Sequence, residues 1–150
     1  MDQASEARDE LDRLGRALRR QLVSLIRDLT VRVHLRRLAL DEPKVASRGE
    51  PPRHHYVADY QGNRPGGVSA AETASRASSA LRAAGWDVTV SREDDDGILW
   101  TVIDADRDGT RIRVLTGEDT AAVVVRGWTP ALDLSPDRRG SAPGLEPRTD

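Results

Sequence analysis

Two Asp-Gly pairs, Asp96-Gly97 and Asp108-Gly109, each set between short runs rich in Val, Ile and Trp, constrain this chain more than any other feature. A tight antiparallel hairpin needs positive backbone angles in its turn, and Asp-Gly supplies them at little steric cost. With a further apolar run after Gly117, the spacing predicts a four-stranded meander: Trp86 to Ser91, Ile98 to Ala105, Thr110 to Leu115 and Thr120 to Trp128. On the first strand Trp86, Val88 and Val90 oppose Asp87, Thr89 and Ser91, and on the third Ile112 and Val114 oppose Arg111 and Arg113. Such alternation marks half-buried strands. The second differs, with Ile98, Trp100 and Val102 on one face and Leu99 and Ile103 on the other, and the fourth sets Val123 and Val125 against Ala122 and Val124. Both faces of the sheet therefore carry apolar residues.

A helix of about residues 70 to 84 precedes the meander. Ser69-Ala-Ala-Glu72 forms a capping box, and Gly85 stands where a left-handed terminating residue is wanted. That ending folds Trp86 back on Leu81, and the buried face becomes Ala74, Ala77, Leu81 and Ala84. Side chains this small bring a helix close to a sheet but limit the apolar area it covers.

The N-terminal element is expected to run from about Glu6 to about Leu40. Leu11, Leu14, Leu18, Leu22, Leu25, Leu29 and Val33 recur at helical spacing, and the triplet of leucines repeats after eleven residues, a straight rather than a heptad pattern. Acids near its start and arginines near its end match the helix dipole. Residues 30 to 37 alternate apolar and polar with β-branched side chains, which leaves a strand after Asp28 as the alternative to a continuing helix. Residues 41–68 hold Pro43, Pro51, Pro52 and Pro65 with no sustained period and read as a linker, with a short extended piece at His55 to Tyr60. Residues 136–150, rich in Pro, Gly and charge, read as a disordered tail. The expected architecture is α+β: a long amphipathic helical segment (1–40), a linker (41–68), and an α+β domain (69–135) with one helix on four antiparallel strands.

The chain is 32% charged, 37% hydrophobic and 3% aromatic, without Phe. The recognisable packed unit is roughly 70 residues, a size at which burial barely exceeds the entropy of ordering the chain. A covering layer from elsewhere is therefore expected, and the leucine stripe is the obvious candidate, from this chain or from a second copy. The absence of Cys leaves no disulfide framework or thiolate metal site and is compatible with a cytoplasmic protein. The acidic start MDQASEARDE lacks the marks of a signal peptide, and no run of about 18 apolar residues offers a transmembrane segment.

Chemistry-bearing motifs are sparse. Asp104-Ala-Asp106-Arg-Asp108-Gly109, with Ile112 following, matches the start of a calcium loop, yet the twelfth position is Leu115 and strand patterns flank it, which favours a solvated hairpin turn. His54, His55, Asp59 and the more distant His34 offer zinc-ligating types, but adjacent histidines in a proline-rich segment diverge. Gly62-Asn-Arg-Pro-Gly66-Gly67 resembles a phosphate-cradling turn without the lysine that completes one. No catalytic residue, cofactor site or metal site is nominated.

Charge is distributed unevenly. Between Arg13 and Arg37 there are eight arginines and one acid, Asp28, whereas between Arg92 and Asp119 there are nine acids and four arginines. The two regions are able to attract each other within a chain or across a dimer. The block from Val68 to Leu132, read as LRAAGW leading into VTV, ILWTV, TRIRV and AAVVV, resembles the helix-plus-meander domains of uncharacterised proteins from high-GC actinomycetes. The resemblance implies a bacterial source and no particular reaction. The function expected is self-association or protein-partner binding through the N-terminal helix and a sheet face, with Arg13, Arg16, Arg19, Arg20, Leu22, Leu25, Leu29 and Trp100 as interaction residues. The alternative is peripheral binding to an anionic membrane or a nucleic acid through the arginine-rich residues 13 to 37.

Overall fold

The computed structural model describes residues 3–47 and 52–134. The chain begins with helix α1 (Gln3–Leu29), followed by strands β1 (Arg32–Ser47) and β2 (Arg53–Asn63), helix α2 (Ala70–Ala83), and strands β3 (Asp87–Asp95), β4 (Ile98–Arg107), β5 (Thr110–Gly117), β6 (Ala122–Trp128) and the short β7 (Leu132–Asp133). It is an α+β fold. The strands form one sheet in the order β1-β2-β6-β5-β4-β3, with β7 also paired to β2 and every pairing antiparallel.

The meander folds as the turn chemistry predicts. Asp96 and Gly97 have φ of 55° and 83°, Asp108 and Gly109 of 52° and 84°, so both central residues of each turn take the positive angles of a two-residue hairpin. Helix α2 also follows its signals. Ser69 Oγ accepts from the Glu72 amide at 3.0 Å, Gly85 has φ of 89°, and the Trp86 amide donates to the Leu81 carbonyl at 3.0 Å, which closes the helix in a Schellman ending. Trp86 is buried beside Leu81.

Two expectations upstream are corrected. The N-terminal helix stops at Leu29 instead of continuing to Leu40. Thr30 takes φ of 53°, and the Thr30 and Val31 amides return to Arg27 and Ile26. Beyond this reversal the alternating residues 32–47 form β1. Residues 41–68 are likewise no simple linker, because β1 extends to Ser47 and β2 occupies Arg53–Asn63. The four-stranded meander is thereby widened by the β1–β2 hairpin, and β2 seals the edge of β6 from Val57↔Trp128 to Asn63↔Ala122. Pro52 stands just before β2 rather than inside it. The expected tail, 136–150, lies outside the described residues.

Cross-strand register explains the core. Ile103, Val114, Val125 and Tyr60 stand side by side on β4, β5, β6 and β2, and Ala105, Ile112, Gly127 and Ala58 form the next row. Both rows face the helices, and Leu18, Leu22, Leu25 and Leu29 of α1 join Ala74, Ala77 and Leu81 of α2 above them. A Cβ on Gly127 would lie 2.6 Å from Leu18 Cδ1, so the missing side chain lets α1 settle onto β6. At Gly62 a Cβ would meet the Arg32 carbonyl oxygen at 2.1 Å. That glycine admits the backbone of β1 and cradles no phosphate.

Candidate interaction surfaces

Because α1 and α2 share one side of the sheet, the other side has no helix over it among the described residues. Its residues follow from the register: Trp100, Val102, Leu115 and Val124 form an apolar band across β4, β5 and β6, with Ile98 41% exposed at its end. Val102 is fully buried, while Trp100, Leu115 and Val124 keep part of their surface in contact with solvent. Beyond this band the face becomes ionic. Arg113 bonds Asp104 at 2.9 Å and Glu93 at 2.9 Å, Arg126 reaches Asp59 at 3.4 Å, and Arg111 lies 5.4 Å from the ring centroid of Trp128 and 3.9 Å from Asp106. The Arg113 guanidinium is held above its ordinary pKa first by its hydrogen bond to Asp104, which outweighs the opposing cost of burial.

The interaction residues expected on the N-terminal helix separate into two sets. Leu22, Leu25 and Leu29 are fully buried in the chain's own core, so the face that was to receive a partner is occupied by this chain's sheet. Arg13, Arg16, Arg19 and Arg20 are exposed. Arg13 binds Glu10 at 2.6 Å, and the others project from the side of the helix opposite the leucines. Trp100 belongs to the open sheet face, on the far side from these arginines.

At the N-terminal end, α1 is tied to β2 by a polar cluster. Tyr56 Oη donates to Asp12 at 2.5 Å, Arg8 bonds the same carboxylate at 3.1 Å, and the Tyr56 ring fills the space left by Gly15, where a Cβ would fall 2.7 Å away. Burial raises the Asp12 pKa, but the hydrogen bonds from Tyr56 and Arg8 outweigh it and hold the carboxyl below its usual range. Burial, and then the bond to Asp12, push the Tyr56 phenol up. The hydrogen bonds from Tyr56 and Arg8 to one carboxylate tie the helix to the sheet.

The metal-ligating types do not converge. His54 and His55 are successive residues of β2 and lie on opposite faces. Asp104 and Asp106 are engaged by arginines. Among the described residues, no group of three or more His, Asp or Glu gathers into a possible metal site.

One feature of the surface went unread in the sequence. Helix α2 and the edge strand β3 leave a groove of about 670 Å³ between them. Ala71, Ser75 and Ser79 form one wall, Val90 the other, and the Arg92–Glu118 pair stands beside Thr101 in its lining. Arg92 grips Glu118 through two bonds of 2.8 and 2.6 Å, and Thr101 Oγ1 donates to the same carboxylate at 3.2 Å. Val90 sits in the row of Ile103 and Val114, yet it is 50% exposed, since Ala71, Ser75 and Ser79 of the helix beside it are small. The low-bulk face of α2 was the available signal.

No protein-family model matches this sequence, and no curated protein is similar to it. The class of the molecule is therefore given by its fold: an α+β protein with a single antiparallel sheet and two helices on one side. No helix among the described residues is long and apolar enough to cross a membrane.

Proposed function

We propose that this protein is a binding module that associates with a second copy of itself through the open face of its sheet. The observation that carries the reading is the apolar band of Trp100, Leu115 and Val124, on adjacent strands and beneath no helix of the described residues. Apolar area of this kind gains about 25 cal/mol per Å² when removed from water. A second copy suits the face better than a charged partner. Its arginines are already matched by Asp59, Asp104, Asp106 and Glu93 of the same face, and a two-fold axis through the band lays apolar on apolar. Light scattering after size exclusion tests this. The full chain is expected to dimerise with rising concentration, and Trp100→Asp to remain monomeric with an unchanged circular dichroism spectrum. A wild-type monomer at every concentration would overturn it.

A second reading rests on α1. Arg16, Arg20, Val23 and Arg27 recur at helical spacing along its solvent side, and Arg19, Arg20 and Arg27 enter no ion pair among the described residues. Such a ridge suits phosphate groups of a membrane surface or a nucleic acid. Binding to phosphatidylserine vesicles or duplex DNA should then fall steeply with salt and be lost in Arg19→Gln/Arg20→Gln/Arg27→Gln. Binding indifferent to salt, or unaltered in that variant, would remove this reading.

A further inference from the structure

We infer that the groove between α2 and β3 receives an extended basic peptide, which adds to the sheet as an antiparallel strand on the outer edge of β3. The groove itself lies on the helix side of the sheet, opposite to Trp100, and the proposal does not depend on the self-association described above.

Four observations converge on it. First, β3 is the last strand of the sheet order, so its outer backbone groups face no neighbouring strand among the described residues, and an added strand is the structure that satisfies them most fully. Second, the groove is the right shape. It runs between helix and edge strand, and its walls are predominantly apolar but narrow in bulk, because Ala71, Ser75 and Ser79 stand where larger residues would close it. The half-exposed Val90 points into it, and the Arg82 guanidinium spans from helix to strand with a long 3.4 Å bond to the Val88 carbonyl. Third, Ser78 lines the groove and is only 5% exposed, with its Oγ buried, so this small side chain leaves the groove open and its surface there largely apolar.

Fourth, charge selects the occupant. The residues of β3 that point away from the helix are Asp87, Thr89, Ser91, Glu93 and Asp95, acidic at both ends. Of the two arginines in the groove lining, Arg92 is neutralised by Glu118 and Arg82 is turned to the Val88 carbonyl. Antiparallel pairing of β3 with β3 of a second copy about Ser91 would set Asp87 against Asp95, and like charges directly opposite each other are destabilising. Glu93 is already held by Arg113, so a peptide with basic residues opposite Asp87 and Asp95, and small apolar residues opposite Val88 and Val90, meets acid with base on one face and fills the groove with the other. The ligand class is thus an alternating basic and apolar segment in extended conformation.

The test is fluorescence anisotropy on the full-length protein with a labelled, end-capped peptide of that pattern, with Lys at the outer positions and Val at the groove positions. Saturable binding is expected. It should weaken at least about tenfold when Glu replaces Lys in the peptide, and similarly when the backbone amides that face β3 are N-methylated. Ser75→Leu fills the groove from an exposed position without touching the core and is expected to abolish binding with the fold intact. The Val124→Asp variant, altered on the open face but on β6, three strands from β3, is expected to bind as wild type does. No saturable binding, equal binding of the acidic or the N-methylated peptide, or undiminished binding to Ser75→Leu would each overturn the proposal.

Discussion

At the scale of single residues, glycines and one histidine carry the sharpest consequences. Gly62→Ala places a Cβ 2.1 Å from a backbone carbonyl of β1, and backbone yields less readily than a side chain. The substitution is expected to cost about 3 kcal/mol, read as a lower urea midpoint, and to loosen the β1–β2 hairpin in hydrogen exchange. His55 has its pKa lowered from 6.5, first by burial and then by the charge of His54. The unfolded chain therefore takes up this proton more readily than the folded one. The contribution of His55 to stability is complete above pH 6.5 and declines as pH falls through its lower folded value. Unfolding midpoints measured between pH 7.5 and about 5 should fall with decreasing pH, and His55→Gln should flatten that part of the curve. Glu10 and Glu118 are held low chiefly by hydrogen bonds from Arg13 and Arg92, so their contributions persist until pH approaches the carboxylate range.

At the scale of elements, the helices differ in how they hold the sheet. Helix α1 does so with leucines, and Leu22→Ala is expected to cost about 2–5 kcal/mol in chemical denaturation, since a fully buried side chain is lost from a packed core. The same variant should leave the oligomeric state unaltered where it remains folded, because Leu22 faces its own chain. Helix α2 relies on termination as much as on bulk. Ser69→Ala, which removes the acceptor for the Glu72 amide, is expected to cost about 1 kcal/mol in the same measurement. The Asp-Gly turns, the capping box and the Gly85-Trp86 ending were legible because each is local chemistry within a few residues. The end of α1 was not. Its leucine period continues into Val33, and Thr30 is no glycine, so nothing in the pattern marks the left-handed residue that stops the helix.

At the scale of the whole molecule, the sheet depends on segments distant in sequence. A fragment starting at residue 64 retains α2 and the meander but loses α1, β1 and β2, which exposes Val123, Val125 and the edge of β6. Such a fragment is expected to lack a cooperative thermal transition and to bind apolar dyes, as circular dichroism and dye fluorescence would show. Charge also behaves differently at this scale than the sequence suggests. The basic helix and the acidic hairpin do not pair with each other among the described residues; the hairpin acid Glu93 pairs with Arg113 of β5, and Arg13 with Glu10 one turn away.

The sequence by itself determined the four strands of the meander, their turns, and the start and end of α2, because φ preferences and capping act between near neighbours. It also identified Trp100 as apolar and the leucine stripe as a covering layer. Only the tertiary structure decided that the stripe covers this chain's own sheet and that residues 32–47 extend as a strand. It also decided that a groove opens beside β3. Each of these depends on which surfaces meet across the fold, and an edge strand or a half-covered valine acquires its meaning only when the neighbour that fails to cover it is in place.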